Sequence, residues 1–253
     1  MQITVLASGS EGNSTFIKTD KHRILIDLGK NAKYIKIKLE EINERPEDIT
    51  AIVISHTHKD HTAALDVFVR KYQPIVYLTP KMFYDLKNIE NYQHIILYED
   101  DIYLGDLKIN TIRTSHDVSD SRNFIFEYQG QSIVSLTDTG YINRKYFKIL
   151  QNRDYYLFES NHDIEMLLNG PYPKWLKQRV IGTEGHLSNK DSSIYLAKLI
   201  GDKTKKVVLM HLSHHNNSEE KALETIHETF REHKVEFTDI TCAKQNEITR
   251  VCE

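Results

Sequence analysis

SHTHKDH, residues 55–61, sets three histidines and an aspartate, His56, His58, Asp60 and His61, within six consecutive positions. Imidazole nitrogen and carboxylate oxygen are the usual sulfur-free ligands of zinc, with manganese and iron as further options. A solvated loop has no use for three histidines at this spacing. His56 and His58 are two apart, and Asp60 and His61 are adjacent. One short loop can therefore point two donors at one ion and two at a neighbour. Four residues complete neither ion, so further donors must come from elsewhere in the chain.

The flanks of this stretch decide the fold class. It follows ITAIVIS (49–55), a continuous apolar run of the kind buried on both faces of a sheet, and precedes a helical pattern over 62–72. The same alternation runs through the chain. Strand-like runs at 3–8, 14–19, 23–29, 74–79, 94–99 and 106–115 lead to a hairpin over 123–140 turning at Gln129-Gly130-Gln131. Helical spacing marks 32–42, 143–151, 163–169, 189–200 and 218–233, with strands at 154–160 and 206–213 and two closing strands. Mixed strands interleaved with helices predict a layered α/β domain. No low-complexity linker divides it, so residues 1–253 are expected to form a single domain.

In such folds chemistry sits just past the C-terminal ends of strands, and the polar residues of this chain obey that rule. His56 follows AIVIS, His116 follows INTIRTS, Asp138 follows SIVSLT, Glu159 ends YYLFE and His211 ends VVLM. Taken singly, His116 reads as a hydrogen-bonded surface residue, and Asp138, in Thr137-Asp138-Thr139-Gly140, reads as a turn. Beside HTHKDH, His116, Asp138 and His211 become the natural completion of the ligand set. His214 and His215 compete with His211 for that role; His211 is preferred because it lies directly at the strand end.

Bulk composition excludes several classes. Thirty-three basic against 36 acidic residues give a formal charge of −3, so the chain is neither a polybasic nucleic-acid wrapper nor an acidic tail. Two cysteines, Cys242 and Cys252, form no CxxC pair and point to a reducing compartment. The first residues, MQITVLASGS, lack a basic segment followed by an apolar one, and no run of about 18 apolar residues occurs. A cytoplasmic protein without a membrane span is expected.

HTHKDH has the HxHxDH form of the metallo-β-lactamase-fold superfamily, and His116, Asp138 and His211 follow in that superfamily's order. The resemblance spans nearly the whole chain. It implies an αββα sandwich of two mixed sheets flanked by helices, with metals at one edge. It also implies that His56, His58 and His116 hold one divalent ion, that Asp60, His61 and His211 hold the second, and that Asp138 bridges them. Zn2+ or Mn2+, with Fe as a further option, suits this set. Aspartate rather than cysteine at 138 looks like the phosphodiesterase and glyoxalase branches. The order Glu159, Gly185-His186-Leu187-Ser188, then His211-Leu212-Ser213 is similar to the tRNA 3′-processing endonuclease branch. Ser8-Gly9-Ser10-Glu11-Gly12-Asn13-Ser14 and Glu159-Ser160-Asn161-His162-Asp163 look closer still to WalJ/YycJ-type proteins, regarded as 5′-to-3′ DNA exonucleases. No long insertion like the accessory arms of the RNA-processing relatives is present.

The expected chemistry is phosphodiester hydrolysis by a metal-bridging hydroxide. Asp60 belongs to the catalytic set. His186 is the expected general acid, oriented by Glu159; its bland alternative is a helix-start position with Ser188 or Asn189 as N-cap. Ser10 and Asn13 are expected at a phosphate or at the site edge, though Gly9 and Gly12 equally suit a tight connection between strands. The substrate is expected to be nucleic acid, DNA favoured. The competing function is a glyoxalase-like hydrolase of a small thioester or ester. A third is a metal-bound regulatory protein without turnover. Lys174, Lys177 and Arg179 favour the first if they lie near the site.

Overall fold

The structure is a computed structural model that describes residues 1–252. It contains two seven-stranded mixed sheets flanked by helices, as the sequence pattern and the resemblance led us to expect. Contacts divide the chain into two compact units. Of the described residues, one comprises 1–111, 118–122 and 244–252; the other comprises 112–117 and 123–243.

The first unit opens with β1 (Gln2–Ala7), β2 (Ser14–Lys18) and β3 (Arg23–Ile26), paired antiparallel. After α1 (Ala32–Glu41), β4 (Ala51–Val53) adds parallel to β3. α2 (Lys59–Thr62) and α3 (Leu65–Tyr72) follow, and then β5 (Ile75–Leu78), α4 (Pro80–Asp85) and β6 (Ile95–Leu97). Strands β3 to β6 all run parallel, so their C-terminal ends meet at one edge. The core packs Ile35 and Leu39 of α1 and Leu65, Phe68 and Val69 of α3 against Leu25, Ile52 and Val76 of the sheet. Helical spacing of the apolar residues accounts for that face. The hairpin β7 (Ile102–Leu104) and β8 (Leu107–Arg113) follows.

The helix expected over 62–72 starts later, as α3 at Leu65, and a separate short helix, α2, precedes it over Lys59–Thr62. The backbone of its first turn is committed elsewhere: Leu28 N donates to His61 O at 2.8 Å, and Ala64 N donates to Leu28 O at 2.9 Å. These bonds fasten α2 to the loop after β3. Gly29 makes the approach possible. A Cβ there would lie 1.6 Å from Asp60 O, so no other residue fits.

In the second unit β9 (Arg122–Tyr128) and β10 (Gln131–Leu136) form the expected hairpin, with Gln129 and Gly130 at positive φ in its turn. α5 (Phe147–Leu150), β11 (Tyr155–Glu159), α6 (Ile164–Asn169), α7 (Lys174–Ile181), α8 (Asn189–Leu199), β12 (Lys206–Met210), α9 (Glu219–Glu232) and β13 (Ile240–Cys242) complete it. β10 to β13 run parallel. The loops past β10, β11 and β12 therefore emerge side by side. Leu196, Leu199, Ile226 and Phe230 cover Val134, Tyr156, Phe158 and Leu209 in the core. β14 (Thr249–Cys252) returns to pair with β1. Among the described residues no helix is long and apolar enough to cross a membrane.

Candidate metal-binding site

In the first unit, the parallel strands place two loops at one edge, and the donors sit there. His56, Asp60 and His61 each offer a ligand atom, all within 4.8 Å of one another. The His58 ring lies 4.9 Å, centroid to centroid, from that of His56. Asp27, just past β3, organises the cluster. Its Oδ2 lies 2.7 Å from His61 Nδ1 and accepts from Ser55 Oγ at 2.6 Å; its Oδ1 accepts from Ser55 N at 2.8 Å. A carboxylate on Nδ1 fixes the tautomer and turns Nε2 outward, the usual support of a ligating imidazole. Asp27 is buried and holds φ of 60°, a conformation rare outside glycine.

Asn13 reaches the same cluster. Its Nδ2 lies 3.0 Å from His61 Nε2 and 3.5 Å from Asp60 Oδ2, while its Oδ1 accepts from Gly9 N at 2.9 Å. It thus stands at the edge of the donor group and also closes its own turn. Ser10 is exposed on that turn.

In the second unit, Asp138, Glu159, His186 and His211 bring ligand atoms within 4.8 Å of one another. His116 Nε2 lies 3.9 Å from Asp138 Oδ1, and His116 Nδ1 lies 3.3 Å from Gly185 O. Of the three histidines after β12, His211 is the one in this cluster. His214 and His215 are exposed and pack ring against ring. Both Asp138 (φ 55°) and His211 (φ 58°) are left-handed. Such strain persists only where the surroundings over-determine it.

Glu159 is that determinant. Fully buried, its Oε1 accepts from Asp138 N at 3.0 Å and lies 2.8 Å from His186 Nδ1 and 3.1 Å from His211 Nδ1. Its Oε2 accepts from Thr139 N at 3.2 Å and Leu187 N at 3.0 Å. Burial works against its charge, but the charge and hydrogen bond of His186, with the bond from His211, hold it down to about 2. It is a carboxylate at any ordinary pH.

Around it lies a knot of buried amides. Asn161 Nδ2 donates to His211 O at 2.9 Å. Asn217 Nδ2 donates to the carbonyls of Ser160 and Asn161, at 2.9 and 3.1 Å. Ser160 Oγ donates to Asn189 Oδ1 at 2.7 Å, and Asn189 Nδ2 to Asn217 Oδ1 at 2.8 Å. Three loops distant in sequence are thereby tied together. Ser188 caps α8, accepting from Asp191 N, which leaves His186 one turn clear of the helix.

His162, in the same knot, is 2% exposed, and its Nδ1 meets no hydrogen-bond partner among the described residues. Burial lowers it from 6.5 to about 4, with the Glu159 charge pulling the other way. The folded protein holds it neutral. Its contribution to stability is therefore complete above pH 6.5 and is lost as pH falls toward 4, about 3 kcal/mol in all. Melting followed from pH 7 to 4.5 should show this acid limb, and His162→Gln should flatten it; an unchanged slope would refute the assignment.

The donors are all nitrogen and oxygen, clustered and mostly buried, a set that fits Zn2+, Mn2+ or Fe rather than a soft-metal site. The family model of the metallo-beta-lactamase superfamily matches residues 7–211, and the chain belongs to that superfamily. With these donor groups, it is a metal-dependent hydrolase. It is 39% identical to the exodeoxyribonuclease WalJ of Streptococcus pneumoniae over 226 residues, 87% of this chain and 84% of that protein. It is 32% identical to the exodeoxyribonuclease YycJ of Bacillus anthracis over 237 residues, 92% and 90% of the two chains. The metallo-beta-lactamase fold protein YhfI from Bacillus subtilis, a solved structure, matches with a TM-score of 0.74 over 99% of both chains at 16% identity, a likeness of fold.

Proposed function

We propose that the chain, acting as a single domain in the cytoplasm, is a two-metal phosphodiesterase that removes nucleotides from DNA in the 5′-to-3′ direction. One observation carries the reading: a buried carboxylate, Glu159, holds an imidazole, His186, beside the donors Asp138 and His211. An imidazole held through Nδ1 by a buried carboxylate is what a general acid requires. The exodeoxyribonuclease relatives support the choice of substrate.

As part of the proposal, His56, His58 and His116 would hold one ion and Asp60, His61 and His211 the other, with Asp138 serving the pair. Bound divalent ions would supply a water of lowered pKa as nucleophile and positive charge for the phosphoryl oxygens. The protein's own groups do the rest. Asp27 and Ser55 orient His61. Glu159 accepts from His186 Nδ1, which turns Nε2 toward the leaving alkoxide as proton donor. Asp60 stays beside His61, its carboxylate placed to steer the attacking water. Asn13 steadies Asp60 and His61, and Ser10, exposed on the same turn, would meet a phosphate.

The test offers end-labelled single- and double-stranded DNA and RNA to purified protein with Zn2+ or Mn2+, beside His61→Ala. Stepwise loss of nucleotides from a DNA 5′ end, abolished in the variant, is expected. Turnover of small thioesters with no nucleic-acid cleavage would transfer the protein to the glyoxalase-like class.

A further inference from the structure

Helix α7 has no place in the chemistry above, yet its surface is unusual. It reads KWLKQRVI, with Lys174, Lys177 and Arg179 and no acidic residue, on a chain whose formal charge is −3. Its Trp175 is the sole tryptophan of the protein and is 65% exposed. A large aromatic left in water beside three cations needs an explanation, because aromatic side chains normally bury their area.

The helix is fastened to the donor loops at both ends. At its C-terminal end, His186 N donates to Val180 O at 3.0 Å, and Arg179 Nε donates to Asp117 Oδ2 at 2.5 Å. Asp117 adjoins His116. Just before its N-terminal end, the Tyr172 ring lies 5.9 Å from that of His215, in the loop that carries His211. Helical spacing puts Trp175, Gln178, Arg179 and Gly182 on one face. Trp175 and Arg179 are about 6 Å apart along the axis. The exposed ring, with Lys174 beside it in sequence and Arg179 one turn on, therefore forms a stripe that ends beside His116 and His186; Lys177 points away from it, its Nζ donating to Leu168 O at 2.6 Å.

We infer that this face of α7 binds a single-stranded nucleic-acid segment, with a base stacked on Trp175 and the backbone passing from Lys174 past Arg179 toward His186. The inference rests on the nuclease reading for its direction and substrate class. A flat exposed ring beside cations is the physical requirement for sequence-tolerant single-strand binding. Charge complementarity selects this occupant: a polyanion finds a wholly basic helix on an otherwise acidic chain. The strand would then reach the proton donor single-stranded.

Trp175 is its own reporter. The EDTA-treated full chain, which cannot hydrolyse, is titrated with oligothymidylate while tryptophan emission is followed. In parallel, the anisotropy of a labelled oligothymidylate gives affinities for wild type, Trp175→Ala and Trp175→Phe. Saturable quenching is expected, with affinity weakened about 5- to 150-fold by Trp175→Ala and largely kept by Trp175→Phe. Lys174→Glu should lower the salt slope of binding by about 1. Equal affinity of wild type and Trp175→Ala would overturn the inference even if hydrolysis is found. Quenched emission and weakened Trp175→Ala binding would uphold it even if no hydrolysis is found. A response to anionic lipid vesicles but not to oligothymidylate would overturn it in favour of a membrane surface.

Discussion

Replacing His186 by alanine should lower DNA hydrolysis by roughly 10²- to 10⁴-fold while leaving metal content unchanged. The imidazole is partly exposed and is held by one strong bond, Nδ1 to Glu159 Oε1 at 2.8 Å. That bond fixes the tautomer and leaves Nε2 to act outward. In nucleic-acid cleavage the leaving group is a poor one, an alkoxide that needs a proton as the bond breaks. The defect should therefore depend on the leaving group. A phosphodiester that expels nitrophenolate needs little protonation, and its hydrolysis should suffer far less than that of DNA. Equal losses on both substrates, or loss of metal along with activity, would mean that His186 is a ligand and not a proton donor.

The second large effect is at Glu159, and it separates fold from chemistry. Alanine there would strand the backbone N–H groups of Asp138, Thr139 and Leu187, and would release His186 and His211 as well. Removing one member of such a buried charged network costs about 3–5 kcal/mol, which denaturant titration would read directly. Glutamine keeps the shape and one acceptor oxygen but loses the charge. Glu159→Gln should remain folded and lose activity to about the same extent as His186→Ala. Because the two residues act as a unit, the double variant should be little worse than either single one. Additive losses would show that Glu159 does something besides hold His186.

The ligand loop was legible in sequence because its signal is local: HTHKDH carries four donors in one turn of chain. The second donor group was legible by position, since Asp138, Glu159 and His211 each sit at the end of a strand-like run. The same rule, applied to RILIDLG, would have found Asp27, which the structure places on His61 Nδ1. A strand reading over 23–29 hides it, since β3 ends at Ile26, and its role depends on a residue 34 positions away. The break between α2 and α3 was hidden for a like reason. Apolar spacing reports which face is buried, but not that Leu28 would claim the backbone of His61 and Ala64. Helix α7 was missed because so few of its residues are buried that its pattern reports solvent on nearly every side. β7 is three residues long, too short for periodicity to register.

The amide knot of Asn161, Asn189 and Asn217 has a consequence for how the protein acquires its metal. It ties the loops of Glu159, His186 and His211 by hydrogen bonds within the protein, none of which needs an ion. These donors are thus in position as soon as the chain has folded. A divalent ion would therefore meet a cluster already built, and its binding would not have to drive the folding of these loops.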